Sequence, residues 1–369
     1  MRRIELRKHR RLSIGGITSE INSGIDDFHP LGRDGNRETS VPGCFGGIFG
    51  AVGIALFCNP RSRRNRIYPE GIENLRRILG DAGEVLTPAP DDLPALAQKL
   101  AASPPSVIAI HGGDGTVHAT LSRLLPAFGD RPLPPLALLT GGTMNVVPRS
   151  LGLVEAPERF VEILVAAHRK GIAPTTVPRR CMQVGSQHGF VFANGVFATF
   201  LEEYYRTGAY GHGRAAWIVA RIGLSTLLGG RYRRRILRPF QGTVTLDGQT
   251  LPPETFTAIS AGTVAQVGMG FKLNHRADED LDRMSVVAAR ALPNIWDILS
   301  VARGRGMSER RASTHLSAQL RLLPLHEPMT YTIDGDMYRT EEELVLAPGP
   351  MLRLICPNPR AALASKSTP

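Results

Sequence analysis

One stretch concentrates residues whose types and spacing could handle phosphate: HGGDGTVHATLSRLL, residues 111–125. Gly112, Gly113 and Gly115 let a backbone turn sharply and bring bare N–H groups close to a ligand. The helical pattern that follows would add unpaired N–H donors and a partial positive charge at its N-terminus, both suited to phosphate. Asp114 would repel phosphate, so its uses are a metal ion, or a hydrogen bond to a ribose or to the loop. A plain glycine turn with an aspartate capping the helix is the alternative. The same order recurs in LALLTGGTMNVVPRSLG, residues 136–152, through Gly141, Gly142 and Thr143, with Pro148 tolerable in a first helical turn. Upstream, Asn59-Pro60-Arg61-Ser62 follows the apolar run AVGIALF. Loops at the C-terminal ends of parallel strands converge on one crevice, where open α/β sheets bind ligands.

The elements needed to position these loops are legible around them. SVIAIH (106–111) and PLALLT (135–140) are short apolar runs, as expected of strands buried on both faces. EGIENLRRILGDAG (70–83), residues 93–101 and HATLSRLL (118–125) carry apolar residues at helical spacing. Alternating strands and helices predict a parallel α/β sheet over 46–154. After ERFVEILVAAHRK (158–170), a further helix, the texture changes to strand-like stretches near 182–184, 189–200, 242–247, 255–261, 285–289, 317–323, 329–333 and 343–355. Asp247-Gly248 and Asp334-Gly335 read as hairpin turns among them. A mainly β domain is therefore expected over 155–335, interrupted by a helical insert near 213–230, with 336–369 returning to the first domain. Residues 1–45 are basic and rich in Gly, Ser and Asn, without period, and read as a flexible extension.

Of the 369 residues, 42% are hydrophobic and 21% charged, which excludes a disordered chain; the net charge of +11 favours anionic partners. No aromatic-basic interleaving or reading helix supports nucleic acid as that partner. Cys44, Cys58, Cys181 and Cys356 form no CxxC pair, so neither a zinc site nor a disulfide framework is signalled, and a reducing cytoplasm fits. No apolar stretch follows the basic start closely enough for a secretory signal. Residues 41–58 run uncharged, but five glycines within them favour a buried strand ending at Asn59 over a membrane span.

NPRS (59–62), GGDGT (112–116), GGTMN (141–145) with Arg149-Ser150-Leu151-Gly152, and DGD (334–336) together resemble the bacterial diacylglycerol kinase-like lipid kinases, over roughly residues 52–357. NAD kinases and phosphofructokinases share the first glycine loop; the second loop and the late DGD favour the lipid branch. The resemblance implies a Rossmann-like α/β nucleotide domain and a C-terminal β-sandwich domain, with the active site between them. It implies ATP and Mg2+ as cofactors, and transfer of phosphate to the primary hydroxyl of a lipid such as diacylglycerol or a sphingoid base. A kinase of a soluble polyol or cofactor, and a non-catalytic lipid- or nucleotide-binding relative, are the alternatives.

Carried over residue by residue, the resemblance assigns nucleotide contacts to Asn59, Pro60, Arg61, Ser62 and Arg63, and to Gly112, Gly113, Asp114, Gly115, Thr116, Val117 and His118. Thr87, Gly141, Gly142, Thr143 and Asn145 support them. Catalysis falls to Asp114 and to a general base, either Asp334 or Asp336, the latter standing where the family usually has Glu. The chain departs from the family pattern in three places. Val146 replaces a frequent Asp, Arg63 a usual Gly, and Asp280-Leu281-Asp282 a metal-binding Asp-Asp-Gly, leaving Asp280 and Asp282 as weak metal candidates. A lipid substrate implies work at the inner membrane face from the cytoplasm. The sequence offers Arg231, Arg233, Arg234, Arg235 and Arg238, behind the apolar segment 215–230, as a peripheral anchor.

Overall fold

The computed structural model describes residues 53–205, 239–252, 255–268, 270–291 and 295–358. Strands β1 (Ile54–Cys58), β2 (Gly83–Leu86), β3 (Val107–Gly112) and β4 (Leu136–Thr140) run parallel, in the order β4-β3-β1-β2. Their continuous apolar runs are explained by burial on both faces. Ala55, Phe57, Ile108 and Ile110 point into one core, whereas Ile54, Leu56, Val107 and Ala109 point into another. Six helices belong to this layer: α1 (Arg63–Ile67), α2 (Gly71–Leu79), α3 (Leu93–Ala102), α4 (Asp114–Phe128), α5 (Val146–Ser150) and α6 (Pro157–Arg169). Leu96, Leu100, Leu121 and Leu124 of α3 and α4 fill the first core; Leu75 of α2 and Phe160 of α6 fill the second.

The chain then builds β5 (Thr176–Val184), β6 (Gln187–Gly189), β7 (Val191–Asn194), α7 (Val196–Tyr205), β8 (Phe240–Leu246), β9 (Gln249–Thr250) and β10 (Thr255–Phe256). It continues through β11 (Ala258–Gly262), β12 (Met284–Ala289), α8 (Ile295–Ala302), β13 (Ala312–Ser317), β14 (Leu320–Pro324), β15 (Met329–Ile333), β16 (Asp336–Thr340) and β17 (Leu344–Ile355). A six-stranded antiparallel sheet has the order β13-β12-β11-β7-β15-β16. It faces the antiparallel part of an eleven-stranded sheet across a core that includes Phe192, Ile259, Val286 and Ile333 from one side, and Val184, Val244, Leu322 and Leu346 from the other. The result is a β-sandwich fused to the α/β layer. The fusion is β17: one edge pairs with β5, and the other pairs first with β14 and then, in parallel, with β4.

Both Asp-Gly turns predicted from the sequence are present, joining β8 to β9 and β15 to β16. Asp247 (φ 47°) with Gly248 (φ 84°), and Asp334 (φ 50°) with Gly335 (φ 98°), adopt the left-handed geometry that two-residue hairpins demand. Two strand readings are corrected. The run expected as strand over 189–200 stops at Asn194, because Gly195 turns left-handed (φ 61°) and α7 begins, tied by Thr199 N–H to Gly195 O. The stretch near 317–323 is two strands with a turn at 318–319. Residues 336–340 form a strand, and α8 was not anticipated. Among the described residues no helix is long and apolar enough to cross a membrane. The helical insert, residues 1–52 and the arginines of 231–238 lie outside the described residues.

Candidate active site

Three loops leave the C-terminal ends of β1, β3 and β4 and are tied to one another through their backbones. Asn59 N–H donates to His111 O (3.1 Å), Gly141 N–H to Gly112 O (2.9 Å) and Arg64 N–H to Gly141 O (3.1 Å). Asn59 continues the tie with its side chain: Nδ2 donates to Thr116 Oγ1 at 2.9 Å, while Oδ1 accepts the Arg61 N–H at 2.9 Å. Asn65 secures this edge from below, donating to Asn59 O (2.7 Å) and meeting His111 Nε2 (2.9 Å) through its oxygen. His111 is buried and its pKa is pushed down to about 4 by desolvation, so the ring stays neutral. The glycines are required by contact. A β-carbon on Gly142 would sit 2.4 Å from Gly113 Cα, and one on Gly112 2.4 Å from Thr116 Oγ1. Two bare backbones therefore touch where a ligand would lie, with the fifteen-residue α4 beginning beside them.

The acidic groups arrive from both layers. Asp114, the first residue of α4, accepts the Val146 N–H at 2.6 Å through Oδ1, so it links the two glycine loops. Burial pushes its pKa up to about 6, against the lowering effect of that N–H. Asp336 comes from β16 of the sandwich and is aimed at the same spot: a β-carbon on Gly115 would lie 2.9 Å from its Oδ1 and 3.1 Å from its Oδ2. Its pKa is also raised to about 6, by burial first and by the charge of Asp114 second. Asp334 behaves differently. Its carboxylate accepts N–H bonds from Phe190 (3.0 and 3.1 Å) and Val191 (2.8 Å), which fasten the hairpin turn to the start of β7. Its pKa is raised well above the ordinary range by burial and by Asp114, in spite of those bonds.

A second contact joins the layers one step further along. Asp114 and His118 are four apart on α4, and Asp336 and Tyr338 two apart on β16, so each pair shares a face and the two faces meet. His118 is 1% exposed; its Nε2 meets Tyr338 Oη at 2.5 Å and its Nδ1 meets His188 O at 2.7 Å. The carbonyl can only accept, so Nδ1 carries the proton and Nε2 accepts from the tyrosine. Burial drives the His118 pKa down to about 4, consistent with a neutral ring.

These contacts sort the residues picked from the sequence. Asn59, Thr116, Gly112, Gly113, Gly115, Asp114, Gly141, Gly142, Thr143 and Asp336 gather at the C-terminal edge of the parallel sheet. Pro60, Arg61 and Arg63 lie beside them on the loop into α1. Ser62 is buried there, its hydroxyl without a partner among the described residues. Thr87 is exposed just beyond β2, at the same edge. His118 and Val117 face inward, His118 with both ring nitrogens engaged and Val117 in the hydrophobic core. Asn145 holds the loop rather than facing outward; in left-handed geometry (φ 47°) it accepts the Gly142 N–H at 3.0 Å and donates to Gly142 O at 3.2 Å. Asp280 and Asp282 sit in a turn whose acids are matched to arginines: Asp282 to Arg180 (2.7 Å), Asp280 to Arg283 (3.5 Å) and Asp278 to Arg179 (2.7 Å). Sequence reading missed Asn65, His188 and Tyr338. Tyr338 had a findable signal, since alternation from Asp336 along a strand puts both on one face.

Among the described residues no cluster of three or more His, Cys, Asp or Glu side chains is arranged to hold a metal ion. Asp114 and Asp336, flanking Gly115, present two carboxylates close enough for one to raise the pKa of the other. That donor set fits a Mg2+ ion completed by nucleotide phosphates and water, and does not fit a cage built from protein alone.

Comparison with known proteins places this architecture. Residues 53–177 match the model of the diacylglycerol kinase catalytic domain. A diacylglycerol kinase from Bacillus anthracis str. Sterne superposes with a TM-score of 0.56 at 17% identity, covering 84% of this chain and 98% of that one. A second structure from the same strain gives 0.58 at 16% identity, with the same coverage. No curated protein sequence matches the chain.

Proposed function

We propose that this chain, whose residues 53–177 match the diacylglycerol kinase catalytic domain, is a member of the diacylglycerol kinase-like family and an ATP-dependent kinase that phosphorylates the primary hydroxyl of a lipid such as diacylglycerol or a sphingoid base. The observation that carries the reading is the placement of Asp336: a carboxylate from the sandwich delivered against Gly115, in the middle of the glycine loop. The phosphates of ATP lie over the bare backbones of Gly112–Gly115 and Gly141–Thr143, facing the N-terminus of α4. Asn59 and Thr116 brace that floor, and Ser62 has a hydroxyl to offer. Asp336 takes the proton from the lipid hydroxyl as its oxygen bonds to the γ-phosphorus and the bond to the ADP oxygen breaks. A carboxylate with a pKa near 6 is ionised at neutral pH yet more basic than an ordinary aspartate, which suits that role. Asp334, spent on backbone N–H groups, holds the turn that aims Asp336. Mg2+, when bound, would be held by Asp114 with the nucleotide phosphates and would supply neutralising charge, leaving Asp336 unligated as the base. The acceptor is reached from the cytoplasm at the inner membrane face.

The test is the purified chain with ATP labelled at the γ-phosphate, Mg2+, and separate acceptors: diacylglycerol in mixed micelles, a sphingoid base, and a panel of soluble alcohols. Label in the organic extract, lost in Asp336→Asn, is expected. Label confined to a soluble product would assign a polyol or cofactor kinase, and no transfer to any acceptor would leave a binding protein.

A further inference from the structure

Helix α8 is built the wrong way round for a water-exposed surface. Its inner face is pinned: Asp297 is 4% exposed, accepts the Ser308 N–H at 2.9 Å and pairs with Arg311 at 3.2 Å, while Val301 packs into a core with Leu273 and Val287. Its outer face carries Trp296 at 74% exposure and Leu299 at 37%. Arg303 follows at the helical spacing that continues this face, and Arg305 stands exposed just beyond. Arg311 is matched by Asp297, and the exposed Glu309 adjoins Arg310. Among the described residues Arg303 and Arg305 have no acidic partner, so the patch is a tryptophan, a leucine and two uncommitted cations.

We propose that this face docks the sandwich onto an anionic lipid bilayer. Tryptophan prefers the boundary between headgroup and hydrocarbon, where its ring is apolar and its N–H stays wet. Arginines beside it meet anionic headgroups and contribute roughly a five-fold gain in binding each. A second protein surface fits less well. Two side chains offer a few hundred Å2 of apolar area at most, short of the ~800 Å2 per partner of a stable interface. One loop also connects the patch to the glycine loops. Lys272 N–H donates to Val301 O at the end of α8 (3.3 Å), and Gln266 N–H donates to Ser150 Oγ at the end of α5 (3.3 Å). Between them Gly268 lies against Met144, where a β-carbon would be 2.8 Å from its sulfur. The patch and the second glycine loop are therefore linked through one loop.

The chain has two tryptophans, so Trp217→Phe leaves Trp296 as the sole indole reporter in the full-length protein. Vesicles of phosphatidylglycerol mixed with phosphatidylcholine are titrated in at low salt, with phosphatidylcholine alone as the control. A blue shift of Trp296 emission with the anionic vesicles, and its quenching by brominated acyl chains, are expected. Arg303→Gln with Arg305→Gln should lower the vesicle partition coefficient roughly 30-fold, about five-fold per cation. Both are surface changes, and an unaltered thermal melt confirms the fold. Vesicle binding without any change at Trp296 overturns the assignment and leaves the run 231–238 as the contact. A blue shift that grows with protein concentration in the absence of lipid overturns it in favour of self-association. Absence of binding to anionic vesicles overturns it outright. None of these readouts depends on phosphate transfer, so failure here is separable from failure of the kinase reading.

Discussion

Asp336→Asn should make the protein more stable at alkaline pH while disabling it. In the folded chain the carboxyl ionises near pH 6, whereas the ordinary aspartate value is 3.8. Burial, then the neighbouring Asp114 charge, is the cause. Because the folded-state pKa is raised, the group's contribution to stability is fully present below pH 3.8 and is lost as pH rises through 6. Above that, both states are ionised and the folded one bears the whole desolvation cost. A gap of about two pKa units is about 3 kcal/mol at 1.36 kcal/mol per unit. The amide is nearly isosteric and carries no charge, and no hydrogen bond to Asp336 has to be replaced. The variant should therefore gain up to about 3 kcal/mol over the wild type at pH 8, less at pH 6, and nothing near pH 4. Urea denaturation of both proteins across that range measures it, together with the relief of Asp334, whose pKa the Asp336 charge also raises. Turnover should fall by roughly 10²- to 10⁴-fold, the usual consequence of losing a general base. Equal or lower stability of the variant at pH 8, or a gain that persists unchanged at pH 4, would refute the buried, ionised carboxylate on which the mechanism rests.

Three further changes test neighbouring parts of the site. Asp114→Asn keeps an oxygen for the Val146 N–H but removes the charge between the glycine loops; phosphate transfer should be abolished while the fold gains stability at pH 8, up to about 3 kcal/mol by the same two-unit shift, and near-normal turnover would remove the nucleotide-loop assignment. Asp334→Ala strips the acceptor from the Phe190 and Val191 N–H groups and puts alanine in left-handed geometry; a loss of about 3 kcal/mol is expected by urea denaturation, with turnover of the folded fraction lowered less than in Asp336→Asn, and a larger loss of turnover than in Asp336→Asn with unchanged stability would make Asp334 the base. Tyr338→Phe leaves the buried Nε2 of His118 without its donor; a destabilisation of about 1–3 kcal/mol follows, and an unchanged denaturation midpoint would show that the bond does not form in solution.

What could be read from the sequence was what local pattern determines. The strands under the loops announce themselves because burial on both faces leaves no place for a polar residue in Ile54–Cys58 or Leu136–Leu139. The glycines announce themselves because two backbones in contact tolerate no side chain. The misreadings come where one pattern admits two structures. Residues 189–200 are apolar apart from Asn194 and Thr199, and the left-handed turn at Gly195 decides that strand gives way to helix there. The resemblance carries a nucleotide contact as far as His118, yet one helical turn past Asp114 the side chain already points into the protein. Asp334 and Asp336 are equivalent in composition. What separates them is that alternation across the hairpin sends Asp336 toward Gly115, while the left-handed turn folds Asp334 back onto Phe190 and Val191.

The partnership between the layers was the least legible feature, because it is carried by pairings distant in sequence. Asp336 must reach a loop more than two hundred residues earlier, and a flexible connection would leave its distance from Gly115 undefined. The fold removes that freedom by three attachments. The hairpin seats β16 on β15, Ile333 opposite Asp336. Three residues after β16 ends, β17 begins, and its first half fills the sandwich core with Leu344 and Leu346. Past the irregularity between Pro348 and Met351, its second half lies in the α/β core, with Leu354 opposite Leu136 of β4, the strand that leads into the second glycine loop. The third attachment, Tyr338 to His118, ties β16 directly to the helix that starts at Asp114. A rigid strand on each side of the acid, and a buried bond across the gap, hold the acid and the loop in one frame. A carboxylate that ionises only near pH 6 can be kept facing another carboxylate only in such a frame, since a loosely tethered side chain would swing out to water and recover its ordinary pKa. The raised pKa and the three attachments are thus consequences of the same construction.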